Sequence, residues 1–247
     1  MKKTYFISDV HLGEQAARVE KKRIGQFVQF LQLLEKDAGK IFFVGDLFDF
    51  WFEYKYVIPK KHFTVIRQLA RMRDKGIEIT YLAGNHDFWL GSFFDRELGI
   101  QTRTDEWTGT LSGKRFYLFH GDGVAKKDHG YRILKKVLRN RLSIRIFRWL
   151  HPDWGIPLAR FVSGSSRQYT NRANLNDHDD YIEFAREKFR EGFDYVIMGH
   201  RHEPFEMEEA GKKYINLGDW LEHYSYAAFD GTDLKIITPH PSGRPLF

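Results

Sequence analysis

At 247 residues, with 42% hydrophobic and 29% charged residues, the chain can bury one full core as a soluble globular protein, and no apolar run approaches the ~20 residues of a membrane-crossing helix. The absence of cysteine excludes disulfides and thiolate metal sites, so any metal must be held by His, Asp, Asn or Glu. The net charge of +6 is concentrated: Val124 to Arg167 carries eleven Lys or Arg against two acids, a local +9, while the remainder holds 28 bases and 31 acids, so an anionic partner is expected at that segment.

Met1-Lys2-Lys3-Thr4 leads straight into a predicted strand, not into a signal-peptide apolar region, and the chain is expected to be cytoplasmic. Tyr5-Phe6-Ile7-Ser8 is a short apolar run closed by Asp9 and reads as a buried strand. Ile24, Phe27, Val28, Leu31 and Leu34 follow at helical spacing. Ile41 to Val44 is a second buried strand, a helix covers Phe63 to Met72 with Gly76 as its stop, and Ile77 to Ala83 is a third strand. This alternation predicts a layered α/β fold with helices on the sheet faces. Beyond residue 105, Glu106–Thr110 and Arg115–Phe119 form a predicted hairpin around Leu111-Ser112-Gly113-Lys114. Residues 131–163 are read as amphipathic helix and 177–191 as a long helix stopped by Gly192. Tyr195–Met198 is a further buried strand, and Tyr214–Leu217, Tyr226–Phe229 and Leu234–Thr238 are short strands. No repeat or long linker divides the chain, so residues 1–247 are expected to be a single domain.

Five short motifs stand at the ends of these strands: Ser8-Asp9-Val10-His11, Gly45-Asp46-Leu47-Phe48-Asp49, Gly84-Asn85-His86-Asp87, His120-Gly121-Asp122 and Gly199-His200-Arg201-His202. A single Gly-Asp or Gly-His pair after a strand is commonly only a turn. Five of them after apolar strands predict one site for two divalent cations, with Asp9, His11, Asp46, Asn85, His120, His200 and His202 as ligands. Hard oxygen and imidazole donors suit ions such as Mn²⁺. Asp46 is the candidate bridge because its two oxygens can serve two cations. Asn85 offers a neutral carbonyl, His120 and His200 complete one ion, and His202 completes the other with Asp9 and His11. His86 is placed beside the substrate, with Asp49 one helical turn after Asp46 to orient its ring. These two are the expected catalytic pair. His62, His129, His151, His178, His223 and His240 lack a ligand-like setting and are read as surface or packing residues.

In these motifs the chain resembles the calcineurin-like metallophosphoesterase superfamily, whose signature is D-x-H, G-D-x-x-D, G-N-H-[DE], H and G-H-x-H. The resemblance implies a β-sandwich flanked by helices, ligands on loops at the strand ends and a dinuclear Mn²⁺-type centre. Longer runs are similar to the UDP-2,3-diacylglucosamine diphosphatases of lipid A biosynthesis: Gly45-Asp46-Leu47-Phe48-Asp49-Phe50-Trp51, Gly84 to Phe88 with Gly91, His120-Gly121-Asp122 followed by Asp128 and Tyr131, and Gly199 to Pro204. The better-known members carry Arg where this chain has His86. The closer resemblance implies hydrolysis of the substrate's pyrophosphate to UMP and 2,3-diacylglucosamine 1-phosphate, with Trp51, Asp128 and Tyr131 toward substrate and a helical cap over the site.

That cap falls at residues 124–170. Ile133, Leu134, Val137, Leu138, Ile144, Phe147, Trp149 and Leu150 offer apolar area for acyl chains, and the bases among them suit anionic lipid. The polar run from Ser163 to Asn174 is expected to receive the diphosphate or nucleoside, through Arg167 and Asn171. The expected partners are thus a nucleotide-linked lipid and the inner-membrane surface, contacted peripherally from the cytoplasmic side. A phosphodiesterase acting on soluble nucleotides would need the same centre without the apolar cap. A nucleic-acid-binding scaffold would need the basic segment without the ligands, and no reading motif accompanies those bases.

Overall fold

The structure, a computed structural model, describes residues 2–126, 129–159 and 178–238. Two sheets stack face to face. The first has the order β11-β10-β1-β2-β3-β4, built from β1 (Lys3–Ile7), β2 (Ala38–Val44), β3 (Glu78–Leu82), β4 (Gln101–Arg103), β10 (Tyr226–Phe229) and β11 (Leu234–Ile237). The second has the order β5-β6-β7-β9-β8, from β5 (Trp107–Leu111), β6 (Lys114–Phe119), β7 (Tyr195–Met198), β8 (Pro204–Glu209) and β9 (Lys212–Leu217). Helices α1 (Ala17–Leu34), α2 (Phe63–Asp74) and α3 (Phe93–Leu98) lie along the first half of the chain. Helix α4 (His129–Leu138), α5 (Arg141–Trp149) and α6 (152–159) follow β6, and α7 (His178–Arg190) precedes β7.

Period-2 alternation explains the layering. In β1 and β2, Tyr5, Ile7, Ile41 and Phe43 turn toward the core shared with Phe27, Leu31 and Leu69 of α1 and α2. Phe6, Phe42 and Val44 turn the other way and meet Phe116, Leu118, Ile197, Ile215 and Leu217 of the second sheet. Val196, Met198 and Tyr214 face Tyr181, Ala185 and Phe189 of α7. Helix, sheet, sheet and helix thus form four layers, the helix-flanked β-sandwich that the resemblance implied.

β1, β2, β3 and β4 run parallel, as do β6, β7 and β9, so their carboxyl ends gather along one rim. The predicted hairpin is β5–β6, turned at Ser112 and Gly113, both at positive φ, which suits a tight two-residue turn. Two strands lay outside the sequence reading. β4 spans only three residues at an edge, and β8 is a charged edge strand whose burial pattern has no fully buried position.

Candidate metal centre

Each expected ligand emerges just past the rim of a central strand. Asp9 and His11 follow β1, Asp46 follows β2, Asn85 follows β3, His120 follows β6, and His200 and His202 follow β7. Backbone hydrogen bonds tie these loops together: Asp9 N–H to Gly45 O (3.2 Å), His11 N–H to Asp46 O (2.9 Å), Gly199 N–H to His120 O (3.0 Å) and Trp220 N–H to Asp9 O (3.0 Å). Asp9, His11, Asp46, His200 and His202 all adopt positive φ. Such left-handed backbone costs about 1–3 kcal/mol per non-glycine residue and persists where the surroundings over-determine it, characteristically at functional sites. Two glycines make the approach feasible. A Cβ at Gly84 would lie 2.0 Å from Asp46 Oδ1, and one at Gly45, where φ is +86°, would lie 2.3 Å from His120 Nδ1.

The side chains form two constellations that meet at Asp46. On one side His11 Nε2 and His202 Nε2 face each other at 3.3 Å, and Asp9 Oδ1 lies 3.7 and 3.5 Å from them. On the other, Asn85 Oδ1 is 2.9 Å from His120 Nε2 and 3.0 Å from His200 Nδ1. Asp46 Oδ2 stands between, 3.7 Å from His11 Nε2 and 3.3 Å from His120 Nε2. The donor set fits divalent cations. Asp9 Oδ1 is buried without a hydrogen-bond partner, and close donor atoms converge in the groups Asp9–His11–His202 and Asp9–Asp46–His120. His11, Asp46 and His86 form a third such group.

Burial would push the carboxyls of Asp9 and Asp46 up, yet the surrounding imidazoles hold both below the ordinary range. In return His120, which burial would push down, is raised to about 10 by Asp46, Asp9 and Asp122. His200 is depressed to about 4, by burial and then by the charge on His120. Two buried carboxylates are thus held ionised by neighbouring imidazoles, a charge arrangement that a metal cation could take over in place of the His120 proton.

A supporting shell fixes the ligands. His120 Nδ1–H donates to Val44 O at 2.9 Å, which directs Nε2 toward Asp46. Asp9 Oδ2 accepts from His200 N–H at 2.9 Å, joining the two sheets. Asp87 Oδ1 accepts from Gly84 N–H (2.8 Å) and Asp46 N–H (3.3 Å), and its Oδ2 from Phe48 N–H (3.2 Å) and the Tyr81 hydroxyl. Burial and the Asp46 charge push its carboxyl up to about 6. Asp219, which the sequence reading overlooked, faces His202 Nδ1 at 3.3 Å. Its position was signalled by the strand–Gly–acid pattern Leu217-Gly218-Asp219, which repeats that of Val44-Gly45-Asp46. His223, read as a bystander, touches the same carboxylate at 3.2 Å.

His86 stands edge-on to His11, with ring centroids 4.7 Å apart. Asp49 is beside it as expected, but the closer contact is the Asp49 carbonyl, 3.2 Å from Nδ1, while the carboxylate is 3.6 Å away. The orienting group is therefore backbone as much as side chain. Trp51 requires a correction. It is fully buried against Phe48, Phe93 and Phe94, and its indole N–H is spent on Leu90 O at 3.3 Å, so it presents no atom to a ligand. Tyr131 falls within α4, but its side chain, like Asp128, Arg167 and Asn171, lies outside the described residues.

Helices α4, α5 and α6 are pinned at one side. Ile144, Phe147, Ile156 and Ala159 pack on Phe50, Phe52, Tyr54 and Trp89, and Trp89 N–H donates to Leu138 O at 3.1 Å. The opposite side is open: Ile133, Val137, Leu142, Ile146 and Leu158 are exposed, with Trp149 90% and Trp154 75% accessible. Leu150, read with the apolar set, is also exposed.

The calcineurin-like phosphoesterase family model matches residues 2–204, a span that contains every ligand described above. The chain belongs to that family. It is a metal-dependent hydrolase. Among relatives of this calcineurin-like phosphoesterase is the UDP-2,3-diacylglucosamine hydrolase of Porphyromonas gingivalis, 35% identical over 95% of this chain and 96% of the relative. The UDP-2,3-diacylglucosamine hydrolase of Haemophilus influenzae (strain PittGG) is 30% identical over 91% of this chain and 93% of the relative. Zinc-bound Vps29 of Entamoeba histolytica matches in structure at 13% identity, with a TM-score of 0.47, over 96% of this chain and 91% of that one.

Proposed function

We propose that the chain hydrolyses the pyrophosphate of UDP-2,3-diacylglucosamine to UMP and 2,3-diacylglucosamine 1-phosphate, using two divalent cations, most suitably Mn²⁺. The observation that carries the reading is the coexistence of the Asp46-centred double constellation with a cap whose free side is apolar and basic. Relatives named for that substrate match over nearly the whole chain.

Asp9, His11 and His202 would hold one ion, Asn85, His120 and His200 the other, and Asp46 both. Bound cations lower the pKa of a water and neutralise charge developing on phosphoryl oxygens. The chain supplies the rest. Asp49 fixes the His86 ring, so that its other nitrogen can hydrogen-bond or protonate a phosphoryl or leaving oxygen. Asn85 is held by its own backbone turn, with the following amide N–H of His86 donating to Asp46 Oδ1 at 2.8 Å. The aromatic seam between Trp89, Phe52 and Phe147 gives the cap a dry footing beside the site. Residues 124–170 act as one cap, with Asp128, Tyr131, Arg167 and Asn171 toward substrate. No helix among the described residues is long and apolar enough to cross a membrane. Exposed Trp149 and Trp154 beside Arg141, Arg145 and Arg148 suit a peripheral contact with the cytoplasmic face of the inner membrane, where each base adds about 1 kcal/mol.

The test is Mn²⁺-dependent hydrolysis of UDP-2,3-diacylglucosamine beside bis(4-nitrophenyl) phosphate, followed by phosphorus NMR. Fast release of UMP with slow aryl diester cleavage is the expected result. An untouched lipid with rapid diester cleavage would assign the protein to phosphodiesterases of soluble substrates.

A further inference from the structure

Helix α1 carries a buried ion pair that lies outside the ligand set. Glu20, in its first turn, and Arg23 are each only 8% exposed, and Arg23 Nη1 lies 3.3 Å from Glu20 Oε2. We infer, on the reading of His11 as a metal ligand, that this pair is a positioning device. It clamps the loop from Val10 to Gln15 so that His11 presents Nε2 to its cation.

The backbone of this loop needs holding. Asp9 and His11 are left-handed, at φ +52° and +47°, and Gly13 follows at +100°. Non-glycine residues stay in that region only where their surroundings fix them. The peptide joining Val10 to His11 is gripped at both ends: its carbonyl accepts from Arg23 Nη2, and its N–H donates to Asp46 O at 2.9 Å. Glu20 Oε1 accepts from Gly13 N–H at 2.7 Å, and Oε2 from Gln15 N–H at 3.1 Å. Leu12 N–H donates to Leu47 O at 3.0 Å and Glu14 N–H to His11 O at 3.3 Å. All five N–H groups from His11 to Gln15 therefore have partners, and one carboxylate supplies two of them.

His11 depends on this grip more than its fellow ligands do. A ligating imidazole is normally steered through a hydrogen bond on the nitrogen turned from the metal. His120 has Val44 O for that purpose and His202 has Asp219. His11 Nδ1 is buried and has no hydrogen-bond partner among the described residues. The rings of His86 and His202, with centroids 4.7 and 4.9 Å away, limit its tilt but not the position of its Cα. Aim must come from the backbone, and relaxation of His11 out of the left-handed region would redirect its Cα–Cβ bond. Arg23 fixes the peptide before that bond, and Glu20 fixes the chain after it.

The experiment measures the affinity of each Mn²⁺ ion on the full-length protein by chelator competition, with the melting temperature of the metal-free protein as the check on folding. Arg23→Met removes both contacts of the guanidinium, while the Glu20 carboxylate keeps its two N–H donors and the positive end of α1. One ion should loosen about 10- to 100-fold and the other stay within about threefold. Arg23→Lys puts a single nitrogen in place of the fork and should loosen the same ion, by less. It serves as the test if Arg23→Met does not fold. His11→Ala identifies that ion, and adding Arg23→Met to it should loosen the ion no further. If His11→Ala loosens one ion but the Arg23 variants loosen neither, or both equally, the clamp is overturned. Mn²⁺ bound by His11→Ala as tightly as by the parent would instead overturn the ligand reading, and the clamp with it.

Discussion

Replacing Asp219 separates its structural work from its work on the metal centre. Its Oδ1 accepts from the backbone N–H groups of Leu221 (3.3 Å), Glu222 (3.0 Å) and His223 (2.9 Å), while Oδ2 faces His202 Nδ1 at 3.3 Å. At about 1 kcal/mol net for each backbone bond, Asp219→Ala should cost roughly 2–4 kcal/mol of stability. Asp219→Asn keeps an oxygen for those N–H groups but loses the charge that steadies His202, and should cost about 2 kcal/mol. Such carboxylate–imidazole support is worth about 10- to 100-fold in metal affinity. The loss should therefore appear in Asp219→Asn as weaker Mn²⁺ binding, measured by competition with a chelator, with a smaller fall in melting temperature than in Asp219→Ala. The acid limb gives a second reading. Against the burial that opposes it, His202 and the N–H groups of His223 and Glu222 hold the Asp219 carboxyl at about 2, below the usual 3.8. A depressed carboxyl stabilises the fold above its unfolded pKa and loses that contribution as pH falls through the folded one. The gap corresponds to about 2 kcal/mol. In urea titrations of the metal-free proteins, the deficit of Asp219→Asn should be full above pH 4 and shrink toward pH 2. Mn²⁺ bound by Asp219→Asn as tightly as by the parent would refute the claim that Asp219 positions His202 as a ligand.

His86→Ala should retain both cations by metal analysis while lowering kcat by about 10²- to 10⁴-fold, the range for a lost proton-transfer group; loss of metal would move His86 among the ligands. Trp51→Ala should cost about 3–5 kcal/mol as a core cavity, with KM of the folded fraction within twofold of the parent. A large rise in KM at unchanged stability would restore Trp51 to the substrate.

The ligand loops were legible because buried parallel strands are written as short apolar runs, and the residue after each run must sit at the rim. Asp9, Asp46, Asn85, His120 and His200 follow directly from that rule. Asp219 obeys the same rule after β9 and was passed over because it belongs to no family motif. Trp51 shows the opposite failure. Its neighbour Asp49 reaches the site, but two residues along an irregular loop carry the indole into the core beneath Phe94, and no local periodicity records that turn. β8 escaped because half of this edge strand is acidic: Lys213 of its neighbour β9 pairs with Glu206 (3.0 Å) and Glu208 (3.9 Å) across the pair. The apolar residues of 131–163 looked uniform in sequence, yet Ile144 and Phe147 face the protein while Ile133, Trp149 and Trp154 face out. That division depends on what the helices pack against.

The most direct test of the centre is electron paramagnetic resonance of the protein titrated with Mn²⁺, with metal counted per chain. A carboxylate shared by two ions couples their spins. The parent should take up two Mn²⁺ and show an exchange-coupled spectrum, which Asp46→Ala should lose. One ion per chain, or an isolated-ion spectrum at full loading, would contradict a dinuclear site built around Asp46.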